Sequence, residues 1–337
     1  MSFYDPSHPG ILAVRQFFRV LFGLLYVSVA VALGAVFAAT GILIWLRSED
    51  PMALARAPVP PYHASEVARG FVEKDGAKRI YTDYRLASPG RPPVLFTVSL
   101  PADAAQGPMP VLLIVGGLRS GRENLERLPS LGANALISFE YPHRDIIRDK
   151  TRGAPERLLH VYRSSRATAE QLAAIIRWTG AEQWADAGRI ALLGYSLGAM
   201  VAPVVHVKAK ASGIHHGVTI LAFGGADLGA IAPRVLKLKS PVLEAPAAWI
   251  AGALLNAVEP AHFLPAIESQ VLIIHAARDE LIPPASQQLL ERLTPDPKWV
   301  VTMPGEHIDP RDPAVLLAVV AETTRWLVAR GAVVVPR

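Results

Sequence analysis

A chain of 337 residues that is 51% hydrophobic and 19% charged is too apolar for intrinsic disorder, and it has length for one large domain or two small ones. The absence of cysteine excludes disulfides, thiolate zinc sites, iron–sulfur clusters and a cysteine nucleophile. Lys plus Arg total 34 against 29 for Asp plus Glu, a net charge of +5 with no nucleic-acid-binding signature. The basic pairs Lys208/Lys210 and Lys237/Lys239 read as solvated surface, with attraction to anionic lipid headgroups as the rarer alternative.

The excess hydropathy lies first at the N-terminus. After a tail over residues 1–19, the run from Val20 to Leu46 carries no charge. It exceeds the about 20 apolar residues that a helix needs to cross a bilayer. Tyr26 and Trp45 stand where interfacial aromatics belong. A cleavable signal peptide would have an apolar region of only about 7–15 residues, so the expectation is a retained single-span transmembrane anchor, residues 20–46. Flanking charge barely orients it: Arg15 and Arg19 precede the run, Arg47 and Arg56 follow. The free amino terminus tips the balance towards N-inside, with the following domain extracytoplasmic, which means periplasmic in a bacterium. Residues 47–67, with Pro51, Pro58, Pro60 and Pro61, predict an extended linker.

From residue 68 to 337 a single domain is expected. Strands are predicted at Lys78–Leu86 and Pro93–Leu100, then at Val111–Val115. A helical stretch around Glu123–Leu131 precedes a strand over Asn134–Phe139. Residues 155–179 form an amphipathic helix whose face collects Leu158, Tyr162, Leu172, Ile175 and Ile176. The strand Arg189–Leu193, a helix over 197–209 and a strand over Gly217–Phe223 follow. The Ala/Leu/Pro-rich stretch 228–267 interrupts the alternation as an insertion. The chain then continues through the strand Val271–His275, a helix over 285–293, the strand Trp299–Met303 and a helix over 313–330. Near-continuously apolar strands alternating with helices predict an α/β fold, a mostly parallel sheet covered on both faces.

In such sheets ligands gather beyond the carboxyl ends of the strands, so the post-strand loops matter most. Gly194-Tyr195-Ser196-Leu197-Gly198 directly follows one strand and precedes a helix, the context of a Gly-x-Ser-x-Gly nucleophile elbow. Asp279 lies just past the strand Val271–His275, where a carboxylate can orient an imidazole and stabilise its cation. Glu280 and Asp227 are its rivals. His307, after the last strand, can take the serine proton and return it. Ser196, Asp279 and His307 occur in the chain order Ser…Asp…His. His275 reads as a core residue, His143 as a remote cleft candidate, and His262 as a substrate contact from the insertion. A developing oxyanion needs two backbone N–H donors. One is expected from Leu197 and the other from Val115-Gly116-Gly117-Leu118, at Leu118 with Gly117 as rival.

On GYSLG at 194–198, ARDELIP at 277–283, PGEHID at 304–309 and VGGL at 115–118, the chain resembles the α/β-hydrolase superfamily over about residues 70–330, with a flavour of dienelactone-hydrolase-like and prolyl-oligopeptidase-like esterases. The resemblance implies an eight-stranded, mostly parallel sheet with a lid inserted after the sixth strand. It implies a serine hydrolase that cleaves a small-molecule carboxylic ester through an acyl-serine, without metal or organic cofactor. An acyltransferase or thioesterase on the same triad, and a non-catalytic ligand-binding relative, are the alternatives. A membrane tether would suit an amphiphilic ester. The sequence departs from the family pattern in four places. Gly116-Gly117 replaces the usual His-Gly, Ala199 replaces a second glycine, Pro203 is expected to kink or shorten the helix after Ser196, and His275-Ala276 stands where His-Gly is common before the acid.

Overall fold

The computed structural model describes residues 9–74, 76–103, 107–117, 122–128, 131–141, 151–309 and 312–334. The chain divides into two units, Met1–Ser48 and Glu49–Arg337. The first is the helix α1 (Pro9–Ser48). Within its stretch Gln16–Ser48 an 18-residue window reaches a mean hydropathy of 2.5, and the stretch is long and apolar enough to cross a membrane.

The second unit is built on one nine-stranded sheet in the order β1-β2-β3-β5-β4-β6-β7-β8-β9. Its strands are β1 (His63–Lys74), β2 (Ala77–Ala87), β3 (Val94–Pro101), β4 (Met109–Val115), β5 (Ala135–Glu140), β6 (Ala185–Tyr195), β7 (Val218–Ala222), β8 (Gln270–Ala276) and β9 (Lys298–Met303). The first three strands and β5 pair antiparallel. From β5 through β9 the pairing is parallel. The chain leaves β4 to one side for β5 and then crosses to β6 on the other. The carboxyl ends of β4 and β6 therefore flank the crevice where such sheets bind ligands.

Period-two alternation sends successive side chains to opposite faces. Val111, Leu113 and Val115 of β4 and Val271 and Ile273 of β8 join one buried layer. Leu112 and Ile114 of β4 and Leu272 and Ile274 of β8 join the other. On the first layer lie α4 (Ala154–Ala181), α5 (Leu197–Ala211) and α9 (Pro284–Leu293); on the second lies α10 (Pro313–Val328). The short α3 (Arg122–Arg127) precedes β5.

The structure corrects several expectations. The sheet has nine strands rather than eight, because β1 forms an additional edge strand with a register shift between Glu66 and Ala68. The segment 47–67 is not an extended linker. It holds α2 (Pro51–Arg56) and the start of β1. Asp50 caps α2 by accepting from the Met52 N–H at 2.9 Å, and Pro51 takes the first helical position. The Asp-Pro pair that reads as a linker is thus equally a helix start. Pro203 does not shorten α5, which runs unbroken from Leu197 to Ala211. That helix is buried nearly all round, with Ala199, Val204, Val205 and Ala209 at 0% exposure, so packing offsets the lost hydrogen bond. On α4 the expected face holds for Leu172, Ile175 and Ile176, whereas Leu158 is exposed.

Between β7 and β8 the chain forms α6 (Leu228–Val235), α7 (Pro241–Leu254), a 3-10 turn at Asn256–Val258, α8 (Pro260–Phe263) and a second 3-10 turn at Leu264–Ala266.

Candidate active site

Ser196 is the single residue between β6 and α5, and it sits at φ 55, ψ −117. A side-chain-bearing residue held there costs roughly 1–3 kcal/mol, and such strain collects at functional sites. The surroundings enforce it. Ser196 N–H donates to Ala222 O on the neighbouring strand at 2.8 Å. A Cβ on Gly194 would lie 2.5 Å from Gly198 O, and one on Gly198 would collide with the Val115 carbonyl. Both flanking glycines are therefore steric necessities. The second also lets β4 approach the turn.

His307 and Asp279 come to Ser196 from the ends of β9 and β8. The two strands keep hydrogen-bonding beyond the sheet, Ala277 N–H to Met303 O and Arg278 N–H to Gly305 O, both at 2.9 Å. This fixes the loop of the acid against the loop of the imidazole. His307 Nε2 lies 2.8 Å from Ser196 Oγ. His307 Nδ1 lies 2.9 Å from Asp279 Oδ2 and 3.1 Å from Oδ1. An ionised carboxylate only accepts, so Nδ1 carries the proton and Nε2 is left to accept from the serine hydroxyl. The Asp279 side chain is 1% exposed and the His307 side chain 7%. Asp279 Oδ1 also accepts from the N–H groups of Leu281 (3.0 Å) and Ile282 (2.8 Å), which hold the carboxylate in place.

The rival residues are engaged elsewhere. Glu280 Oε2 accepts from the backbone N–H of His307 at 3.2 Å, not from its ring. Asp227 caps α6 through the Ala230 N–H at 3.0 Å. His275 is buried, its ring nitrogens unbonded, and burial pushes its pKa down. His262 Nε2 meets Asn256 Oδ1 at 3.1 Å within the insertion. Leu118 and His143 lie outside the described residues. Leu197 opens α5, where the first N–H groups have no partner within the helix and the positive end of the dipole points outward.

Two contributors escape sequence reasoning. Tyr141, just after β5, donates its hydroxyl to Gly116 O at 2.8 Å in a buried contact. It thereby holds the Gly116 carbonyl directly after β4, and burial raises the tyrosine pKa. Phe223, after β7, sits at φ 56. Its ring meets the His307 ring edge-on, with centroids 6.0 Å apart. Neither carries a motif; only position after a strand marks them. Among the described residues, no group of three His, Asp or Glu side chains is arranged to hold a metal ion.

No family model matches this chain, and no curated protein matches it in sequence. Solved structures match its fold. An acetyl xylan esterase from Thermoanaerobacterium shares 12% identity at a TM-score of 0.58, the match covering 82% of this chain and 92% of that one. An acetyl xylan esterase from Paenibacillus shares 16% at 0.58, covering 84% and 94%. A carboxylesterase from Lactobacillus plantarum shares 17% at 0.52, covering 75% and 98%.

Proposed function

From the α/β-hydrolase fold that the chain shares with these esterases, we propose that it is a serine hydrolase of carboxylic esters with Ser196, His307 and Asp279 as its triad. The observation that carries this reading is the continuous Ser196–His307–Asp279 hydrogen-bond chain on a strained strand-to-helix turn. In the first step Ser196 Oγ attacks the ester carbonyl while His307 Nε2 takes its proton. Asp279 keeps Nδ1 protonated and stabilises the imidazolium. The Leu197 N–H is one oxyanion donor, and the second comes from the loop after Gly117, at Leu118. His307 then gives its proton to the leaving alcohol, and the C–O bond of the tetrahedral adduct breaks to leave acyl-Ser196. Water, deprotonated by His307, attacks the acyl carbon; the bond to Ser196 Oγ then breaks as His307 returns that proton to Oγ, releasing the acid and the free serine.

In the same reading α1 is a retained single-pass anchor that leaves the catalytic unit on the extracytoplasmic side. A fluorophosphonate probe tests the chemistry. It labels the wild type and fails to label Ser196→Ala; labelling that persists in the variant overturns the nucleophile assignment. A reporter that is active only outside the cytoplasm, fused after residue 337, tests the topology; an inactive fusion beside an active cytoplasmic reporter at the same position overturns it.

A further inference from the structure

The insertion between β7 and β8 is tight at its base and apolar at its tip. At the base, a Cβ on Gly229 of α6 would lie 2.8 Å from Ala248 O and 3.6 Å from Gly252 Cα, both on α7. Glu259 fastens the two stems together, accepting from the N–H groups of Asp227 (2.7 Å), Leu228 (2.7 Å) and Ala261 (3.2 Å). The tip is ordered too. Lys237 N–H donates to Arg234 O and Leu238 N–H to Pro233 O, both at 3.0 Å, and Lys237 takes φ 54. These bonds form a Schellman motif, whose left-handed position is ordinarily glycine. α7 restarts at once, with Leu243 N–H donating to Ser240 O at 2.9 Å.

This fixed tip holds four large apolar side chains in water. Val235 is 54% exposed, Leu236 62%, Val242 80% and Leu243 57%. Exposed Arg234, Lys237 and Lys239 are interleaved with them, against one exposed acid, Glu244. An apolar cluster of this kind marks an interaction surface. Its cations set the occupant: apolar side chains at the headgroup–acyl boundary with cations among phosphates is the arrangement of an interfacial helix on an anionic membrane. A protein groove that took up the apolar side chains would also need acids matched to three separate cations.

We propose that the α6–α7 tip, residues 234–243, is a membrane-contact site that inserts into the surface of a bilayer containing anionic lipid. The site is independent of the chemistry at Ser196. It needs neither the triad nor an ester substrate.

The cysteine-free chain makes the test direct. Val242→Cys offers one thiol for an environment-sensitive fluorophore on the full chain reconstituted in vesicles. In a phosphatidylcholine–phosphatidylglycerol mixture the probe shifts to the blue and is quenched by doxyl-labelled lipid. Adding Lys237→Gln and Lys239→Gln lowers the ratio of inserted to exposed tip roughly 25-fold, about fivefold per cation, and high salt weakens insertion in the same direction. A probe on Gln288→Cys in α9 stays in water. Hydrolysis of a water-soluble ester is unchanged in the Lys variants, which verifies their fold. The proposal is overturned if the Val242 probe stays in water in the mixed vesicles. It is equally overturned if insertion is the same in phosphatidylcholine alone and in the Lys double variant. Burial that follows protein density rather than lipid composition would assign the tip to a second copy of the chain or another protein.

Discussion

Acidification should weaken the folded domain through buried His206 and the half-buried His216 that it contacts. His206 in α5 is 6% exposed. Its Nδ1 lies 3.1 Å from His216 Nε2. The backbone sets the direction of this contact. Glu268 N–H donates to His206 Nε2 at 3.1 Å, so Nε2 is unprotonated and Nδ1–H must donate to His216. His216 Nε2 also faces Thr219 Oγ1 at 3.2 Å, and Thr219 Oγ1 meets Ser269 Oγ at 2.8 Å. A second proton on either ring would enter a site that already receives an N–H. Burial pushes His206 down to about 4, against a partial upward pull from Glu268. Burial, with His206 and His215 nearby, pushes His216 down to about 3. Both folded-state values lie below the unfolded value near 6.5, so the unfolded chain binds the protons. Stability is therefore full above pH 6.5 and falls as pH drops from there towards 4 and 3. At pH 5 each histidine removes about 1.36 × 1.5, or roughly 2 kcal/mol, and the pair roughly 4 kcal/mol. That is a large share of the about 5–15 kcal/mol typical of a folded domain. Urea unfolding followed by tryptophan fluorescence at pH 7.5 and pH 5 measures the loss, and His206→Gln/His216→Gln should remove most of it. An equal loss in that variant would refute the reasoning, as would a ring-proton titration placing either imidazole near 6.5 in the folded protein.

Three further outcomes follow from the same geometry. Gly198→Ala abolishes ester hydrolysis, because its Cβ collides with the Val115 carbonyl on a buried strand that cannot move away; turnover of a p-nitrophenyl ester and probe labelling of Ser196 measure this. Tyr141→Phe frees Gly116 O and, if the following loop supplies the proposed second oxyanion donor, lowers kcat about tenfold with KM little changed, a displaced donor costing less than a deleted one. A proportional rise in KM instead would assign Tyr141 to packing alone. Lys208→Met strips the carbonyls of Leu54 and Ala57 of donors that lie 3.0 Å away, and should lower stability by about 2 kcal/mol in urea unfolding with kcat unchanged.

These side chains also divide what the sequence discloses from what it withholds. Parallel strands buried on both faces must be apolar at every position, so VLLIV in β4 and VLII in β8 announce themselves and also locate the loops that follow them. Ser196 is legible for a related reason. Its backbone conformation admits only glycine at 194 and 198, so the constraint is written in residues whose lack of a side chain is itself the signal. Where a polar group is buried by being satisfied, the sequence carries no such mark. Arg79 sits in β2 at 2% exposure because its guanidinium donates to Ser99 Oγ (2.7 Å), Ser99 O (2.9 Å), Gly132 O (2.8 Å) and Asn134 O (2.7 Å). Three of those four acceptors are backbone carbonyls, which any residue supplies. Lys208 under α2 and Tyr141 under Gly116 follow the same rule, donating to carbonyls that their partners' side chains do not advertise. α2 itself was hidden because a proline-rich text fits an extended chain as well as a helix start. Only burial of Ala55 and the lysine beneath it separate the two. The Ser196–His307–Asp279 contacts are open to sequence reading because their acceptors and donors are side chains. Gly116, at the start of the loop proposed to supply the second oxyanion donor, is held through its main-chain carbonyl, and that dependence makes Tyr141→Phe an informative variant of the site.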